Sequence, residues 1–229
     1  AERELKVAYQ ASPASADPHY TPQPSIKAFR AAVYEGLVEP GNDGAPELRL
    51  AESYRVIDDL TWEFKLRKGI VFSDGTPLTM HDVKFSFERI PLLKGTPSPM
   101  IAYVRSMKEI KVVDDHTLQI VTFTPSPLLF NDIALIGILT RKHGERSKPE
   151  DYNSGKAAIG TGPYKQVKFG INDDIVLERN EKYWGEKEPW DRVVMKTISN
   201  DASRIAALLA GDVDVIELRI ENRLPLCIE

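Results

Sequence analysis

The sequence has little of several features that would point to a particular class of protein. Its 229 residues include a single cysteine, Cys227, so no internal disulfide and no CxxC redox or metal motif is possible. No apolar run approaches the length of about 20 residues that a membrane-spanning helix needs. The net charge is -4, and no basic stripe is present that would bind a phosphate backbone. These absences exclude a disulfide scaffold and an integral membrane helix, and they argue against nucleic acid as a partner.

What is present is the composition of an ordinary globular protein. Hydrophobic residues make up 42% of the chain and charged residues 28%. A chain of this length can bury roughly 70% of the surface that it exposes when unfolded. We therefore expect a folded protein with a sizeable core and no disordered tract.

Hydrophobic periodicity predicts a mixture of helices and strands. Apolar residues at near-helical spacing between Ile26 and Leu37 predict a helix over residues 25–36, with Pro24 in its first turn and the breaker run 40–44 after it. Strand-like segments cover residues 60–72, 109–113, 117–123, 164–169 and 175–179, and the last four of these form two hairpins.

The C-terminal part of the sequence has a different pattern, which is typical of a strand, helix, strand unit. The strands are predicted at 193–198 and 213–218, and the helix at 202–210, capped by Asn200 or Asp201 and ended by Gly211. Such a unit is expected to pair its two strands in parallel.

The segment Leu66–Arg89 contains polar residues that resemble a catalytic set, because Ser73, His81 and Asp82 lie close together in sequence. A hydrolase built on these three residues is one hypothesis. No GxSxG elbow surrounds Ser73, however, and Thr79 with Asp82 has the spacing of a helix capping box. We interpret the segment as a turn followed by a helix cap.

Other chemistry-bearing residues give weaker signals. The four histidines lack HExxH spacing, so no metal site is predicted. The loop Gly160–Pro163 lacks the GK[ST] of a phosphate loop and is interpreted as the turn before a strand. The aromatic residues Tyr183 and Trp184, with Trp190, fit either packing or a sugar or base platform, and packing is favoured. We predict no cofactor and no catalytic residue.

Seven segments, in order along the chain, resemble the extracytoplasmic solute-binding proteins of peptide, dipeptide and nickel ABC transporters, known as family 5. The segments are Asp17–His19, Val33–Val38, Leu50–Tyr54, Leu66–Thr79 with Asp82–Val83, Gly160–Tyr164, Glu178–Asn180 with Tyr183–Gly185, and Ala207–Val215.

The resemblance implies an α/β fold of the periplasmic-binding-protein type II-like kind, in which a mixed sheet with flanking helices forms a lobe and a smaller β-rich domain is inserted. It predicts residues 1–45 and 160–229 as the main domain of the first lobe and 46–159 as the inserted domain. Family members are roughly twice as long, since two-lobed binders need a second core. The chain is therefore expected to be an N-terminal portion without the second lobe, and Glu221–Glu229 matches nothing recognisable.

The resemblance also implies a function in which two lobes close on a ligand, which is delivered to an ABC transporter permease. The expected ligand contacts are Gln10, Tyr20, Thr21, Tyr103, Ile136 and Gly137. A peptide is the expected ligand, and a nickel complex or other small solute is the alternative. A periplasmic location is expected, since no cysteine near the N-terminus offers a lipid anchor. A stand-alone single-lobe interaction or sensory module is a further alternative.

Overall fold

A computed structural model of the chain describes residues 2–22, 26–41, 43–96 and 100–218. In chain order its strands are β1 (Glu4–Tyr9), β2 (Val38–Pro40), β3 (Pro46–Leu48), β4 (Ala51–Asp58), β5 (Thr61–Leu66), β6 (Met107–Asp114), β7 (Thr117–Thr122), β8 (Tyr164–Lys168), β9 (Ile175–Arg179), β10 (Arg192–Thr197) and β11 (Val215–Ile216). The helices are α1 (Lys27–Val33), α2 (Met80–Arg89), α3 (Leu129–Ile133), α4 (Arg141–Gly144), α5 (Pro149–Asn153) and α6 (Asp201–Ala210), and short 3₁₀ helices cover Ile90–Leu92 and Met100–Tyr103.

The first sheet is mixed and has the strand order β11-β1-β10-β9-β8. The strand, helix, strand unit predicted near the C-terminus forms β10, α6 and β11, but these two strands do not pair with each other. Each pairs in parallel with β1, where Val7 lies opposite Met195 on one side and Val215 on the other. The predicted pairing was wrong because a helical crossover leaves room for a third strand, which here comes from the start of the chain.

The second sheet is antiparallel, with the order β4-β5-β7-β6. The period-two pattern of β5 places Phe64 and Leu66 in the core, against Val83 and Phe87 of α2. Burying each such side chain stabilises the fold by about 1.5–3 kcal/mol. Strand β5 ends before the predicted limit of 72, since Gly69 turns the chain with a φ of 78° that favours glycine.

Helix α1 spans Lys27–Val33 and ends three residues before the predicted limit of 36, while the predicted start at residue 25 lies outside the described residues. Tyr34 leaves the helix with extended backbone angles, φ -123° and ψ 141°. The next residues bond to distant segments, because the carbonyl of Glu35 accepts from the N–H of Ile138 at 2.8 Å. Tertiary hydrogen bonds thus override the helical periodicity. The predicted role of Pro24 lies outside the described residues, as do Cys227 and the segment 221–229.

Several local predictions are confirmed. Both hairpins form, as β6 with β7 and β8 with β9. Helix α6 begins at Asn200, whose side chain accepts from the N–H of Ser203 at 2.9 Å, and ends at Gly211 with a φ of 77°. Helix α2 begins with the Thr79–Asp82 capping box. These features depend on residues close together in sequence, which is why the sequence predicts them well.

Strands β2 and β3 form a third, two-stranded sheet, and two hydrophobic cores lie under the two larger sheets. The first contains the inner faces of β5 and β7 together with α2 and α3. The second is formed by α1 and α5 with β8, β9 and β10. The domain boundaries 1–45, 46–159 and 160–229 stay a prediction. Within the described part of the chain, no helix has the length and apolar character needed to cross a membrane.

Candidate functional site

Asp17 and Arg89 form a buried ion pair that joins the segment after β1 to the end of α2. Two guanidinium nitrogens of Arg89 donate to the two carboxylate oxygens of Asp17, at 2.9 and 2.8 Å. Burial raises the pKa of Asp17, but hydrogen bonding to Arg89 and its charge outweigh that effect, so the pKa lies below its usual value. The Arg89 guanidinium also lies 5.0 Å from the ring centre of Tyr152. The pair is therefore fully ionised and tightly held.

His19 extends this network to the irregular segment around residue 137. Its Nδ1 lies 3.0 Å from a nitrogen of Arg89, and its Nε2 lies 2.7 Å from the carbonyl oxygen of Gly137. Because arginine can only donate, Nδ1 accepts and Nε2–H donates to Gly137. Burial, followed by the positive charge of Arg89, lowers the pKa of His19 to about 4. His19 is thus a neutral structural link.

Glu35 is the centre of a second buried network. Its carboxylate accepts from Arg49 Nε at 2.7 Å, Trp184 Nε1 at 2.8 Å, Thr161 Oγ1 at 2.9 Å and Tyr183 Oη at 3.2 Å. Arg49 also lies over the Trp184 ring, 5.1 Å from its centre. Three sequence segments singled out above therefore meet at one carboxylate, which has a structural role because each of its oxygens is occupied by donors.

The residues of the hydrolase hypothesis have other partners. Asp82 accepts from the N–H of Thr79 at 3.0 Å and from the N–H of Arg141 at 2.8 Å. His81 lies 3.8 Å from Asp115. In the turn that follows Ser73, Gly75 has a φ of 91° and its N–H donates to the carbonyl of Phe72 at 2.8 Å. The turn and the cap predicted for this segment are confirmed.

The glycine loop and the aromatic residues have packing roles. A Cβ at Gly160 would lie 1.9 Å from the carbonyl oxygen of Val33, so only glycine permits this contact with the end of α1. Strand β8 begins at Tyr164, as expected for a turn before a strand. Trp184 packs on the first core, and the carbonyl of Trp190 accepts from Tyr164 Oη at 3.3 Å.

A cleft of about 320 Å³ opens beside Thr21. Its walls come from the segment after β1, from α1, and from the regions around Met100 and Leu135. Its lining residues include Pro18, Thr21, Ile26, Lys27, Arg30, Met100 and Leu135. Most of these side chains are apolar, while Lys27 and Arg30 bring charges. An apolar cleft with few polar groups is the usual form of a small-molecule site.

The six predicted contact residues lie at different distances from this cleft. Thr21 lines it, and Tyr103 ends the 3₁₀ helix that begins at Met100. Tyr103 is also among the groups close enough to influence the pKa of Arg30, which burial lowers and the charge of Glu39 raises. The cleft thus brings Thr21 together with the region of Tyr103.

The other predicted contacts are placed elsewhere or have internal partners. Ile136 is fully buried in the first core, next to the cleft residue Leu135. The carbonyl of Gly137 accepts from His19. Gln10 lies at the end of β1, where its N–H donates to Glu217 at 3.0 Å, and the N–H of Tyr20 donates to the carbonyl of Asp17 at 3.1 Å. Ligand contact by these four residues stays a prediction.

Sequence reasoning missed Arg30. This residue lies in the predicted helix, where one charged residue between apolar neighbours is typical of a solvated face. The signal that could have indicated a site is its position one turn after Ile26 and three residues after Lys27, since side chains at i, i+3 and i+4 share a helix face.

Comparison with known proteins names the family to which this fold belongs. The chain belongs to the bacterial extracellular solute-binding proteins of family 5, whose model, described as "Bacterial extracellular solute-binding proteins, family 5 Middle", matches residues 45–226. It is 31% identical over 224 residues to a probable D,D-dipeptide-binding periplasmic protein of Escherichia coli, covering 93% of this chain and 43% of the relative. It is 27% identical over 220 residues to the periplasmic oligopeptide-binding protein of Salmonella typhimurium, covering 88% and 40%.

Solved structures give the same fold. The oligopeptide-binding protein of Burkholderia pseudomallei superposes with a TM-score of 0.83 at 22% identity, covering 94% of this chain and 46% of that structure. A periplasmic binding protein of Helicobacter pylori in complex with the peptide STSA superposes with a TM-score of 0.77 at 26% identity, covering 92% and 45%. The predicted α/β lobe, with a mixed sheet and a separate antiparallel sheet, is confirmed. The chain spans less than half the length of these relatives.

Proposed function

We propose that this chain forms part of a substrate-binding protein of an ABC transporter, which captures an oligopeptide or dipeptide and delivers it to a membrane permease. The observation that carries the proposal is the family match over residues 45–226. The cleft beside Thr21 supports it, because a chain of this family is expected to contribute one wall of a ligand site. A periplasmic location is part of the same proposal, since the named relatives are periplasmic proteins.

In this proposal the ligand contacts the wall formed by Thr21, with Gln10 and Tyr20 on the segment after β1. Tyr103 offers an aromatic ring and a hydroxyl group to a peptide. Ile136 and Gly137 follow the cleft residue Leu135. We expect them to contact the ligand through backbone groups other than the Ile136 N–H and the Gly137 carbonyl, which have internal partners. Main-chain hydrogen bonds of this kind would accept many peptide sequences, because backbone groups are common to all peptides.

The proposal can be tested by ¹⁵N NMR titration of the chain with trialanine and, separately, with a nickel–histidine complex. We expect trialanine to shift the amide signals of Thr21 and Tyr103 in a saturable manner. The variant Thr21→Ala should weaken this binding, whereas Thr124→Ala, at an exposed loop position, should not. Saturable binding of the nickel complex alone would favour that alternative, and a titration without shifts for either would contradict ligand binding by this chain.

A further inference from the structure

Arg30 differs from most other arginines that are buried or half-buried in the described part of the chain. Arg67 also lacks a carboxylate partner, but it donates to the carbonyl of Arg49 at 2.8 Å and lies 5.5 Å from the centre of the Trp184 ring. Arg49, Arg89, Arg179 and Arg204 each contact a carboxylate within 4 Å. Within the described residues, Arg30 has no carboxylate at this distance. A cation removed from water usually acquires such a partner, so its absence here indicates that an acceptor comes from elsewhere.

The surroundings of Arg30 leave part of its guanidinium unoccupied. One nitrogen donates to the carbonyl oxygen of Leu135, and among the described residues this is its one hydrogen bond. Burial lowers the pKa of Arg30, and the charge of Glu39 opposes this effect. That carboxylate is instead held by the N–H of Gly36 at 3.3 Å and lies 3.8 Å from Arg49 Nε. No other described residue accepts from Arg30, so its remaining donors can bond to a ligand in the cleft.

Two further groups of the cleft favour an anionic ligand. Lys27, three residues before Arg30, lines the same cleft from an exposed position. Thr21 is 1% exposed, and its Oγ1 has no hydrogen-bond partner in the described part of the chain. The rest of the lining comes from apolar residues such as Met100 and Leu135. The cleft thus combines positive charge and an unpaired hydroxyl with an apolar wall.

We propose that this cleft binds a carboxylate that carries an apolar group, with the carboxylate on Arg30 and the apolar group against Met100 and Leu135. The inference rests on the proposed function and adds that the ligand must carry both a carboxylate and an apolar group. The planar fork of an arginine matches a carboxylate through two parallel hydrogen bonds. One guanidinium group in a mainly apolar cleft suits a carboxylate, which carries one negative charge, better than a phosphate. The carboxylate can be the C-terminus of a peptide or that of a free organic acid.

The inference is tested by NMR titration of the whole chain with three probes: hexanoate, the dipeptide Leu-Leu, and Leu-Leu amide, whose C-terminus carries no charge. Each titration is repeated with Arg30→Gln and with the control Arg146→Gln, an exposed arginine away from the cleft. Circular dichroism confirms that each variant is folded. We expect hexanoate and Leu-Leu to shift signals around Thr21 and Leu135, and Leu-Leu amide to bind at least tenfold more weakly. Arg30→Gln should weaken the two acids at least tenfold, and Arg146→Gln should leave them unchanged.

Each outcome separates this inference from the proposed peptide capture. Binding of hexanoate alone, lost in Arg30→Gln, supports the carboxylate site and contradicts a peptide as its ligand. Equal binding of Leu-Leu and its amide, unaffected by Arg30→Gln, overturns the carboxylate site and leaves peptide capture standing. No binding of any probe contradicts both proposals.

Discussion

Arg89 and Arg30 lie in two neighbouring regions that contact the segment after β1, yet their surroundings are opposite. Arg89 donates to both oxygens of Asp17, contacts His19 and stacks on Tyr152. Arg30 lines an apolar cleft and bonds to one carbonyl oxygen. Such an ion pair fixes the structure, because the charge of Arg89 already has its partner and both oxygens of Asp17 are occupied. A partly occupied guanidinium beside a cleft can accept a ligand without disrupting that structure.

The same contrast explains why the conspicuous sequence motifs do not indicate which residues line the cleft. Asp17 and His19 form the first buried network, and Glu35, Trp184 and Thr161 form the second. These residues hold segments together that are far apart in sequence. The cleft, in comparison, is lined by residues that belong to no conspicuous motif, such as Arg30 and Met100.

The largest effect is expected from breaking the Asp17–Arg89 pair with Arg89→Met. Asp17 would remain buried without its partner, which costs about 3–5 kcal/mol of unfolding free energy. Urea denaturation measures this loss. Arg146→Met, at an exposed arginine, is the matched control and should stay within about 0.5 kcal/mol of the unmodified chain. An equal, small effect of both substitutions would contradict a structural role for the pair.

Removing the charge of Glu35 by Glu35→Gln should destabilise the fold by about 2–3 kcal/mol. Glutamine offers one oxygen in place of two, so some of the donors from Arg49, Thr161 and Trp184 would lose their acceptor. The free energy of unfolding is again measured by urea denaturation. The control is Glu145→Gln, a substitution at an exposed residue. A stability equal to that of the control variant would show that this network is not needed.

His19 predicts a pH dependence of stability. Its folded pKa of about 4 lies below the ordinary value of 6.5, so the unfolded chain takes up a proton first as the pH falls. The stability that depends on neutral His19 is complete above pH 6.5 and is lost progressively as the pH falls to about 4. The loss over this window is up to about 3 kcal/mol.

The variant His19→Gln separates this effect from other titrating groups. Its amide can accept from Arg89 and donate to Gly137 without titrating. Unfolding free energies of both chains, measured from pH 7 to pH 4, should show a steeper decline for the unmodified chain. Parallel curves would mean that His19 does not titrate differently in the folded state.

The smallest effect is expected at the helix cap. Thr79→Ala removes the Thr79 side chain from the capping box that it forms with Asp82 at the start of α2. The free energy of unfolding should fall by about 1 kcal/mol. Thr124→Ala, at an exposed position, is the control in thermal denaturation. A loss of several kcal/mol would indicate that Thr79 does more than cap the helix.

The elements predicted well from sequence are those decided by near neighbours. The hairpin β8–β9, the cap at Asn200 and the Gly211 termination follow from residues a few positions apart. The elements that were predicted wrongly depend on contacts between residues far apart in sequence. Helix α1 ends early because Glu35 bonds to Ile138, and β1 separates β10 from β11. The Asp17–Arg89 pair joins residues 72 positions apart, a distance at which residue pattern alone carries no signal.

The cleft could be predicted in part for the same reason. Thr21 was expected from a family resemblance that concerns the segment after the first strand. Arg30 was not expected, since its significance depends on the absence of a carboxylate near it among the described residues. Such a feature depends on how the surrounding segments are arranged. Unpaired charge is a property of the folded structure and cannot be read from residue spacing.

The contrast between the two arginines is tested most directly by the unfolding free energy of Arg30→Met, measured in urea beside Arg89→Met. If Arg30 serves a ligand, its replacement by an apolar side chain of similar length should change the free energy of unfolding by no more than about 1 kcal/mol. The loss of one hydrogen bond to Leu135 destabilises the fold, and the removal of a desolvated charge offsets that loss. A loss of about 3 kcal/mol or more, as expected for Arg89→Met, would show that Arg30 is also a structural residue and would contradict its assignment to the cleft.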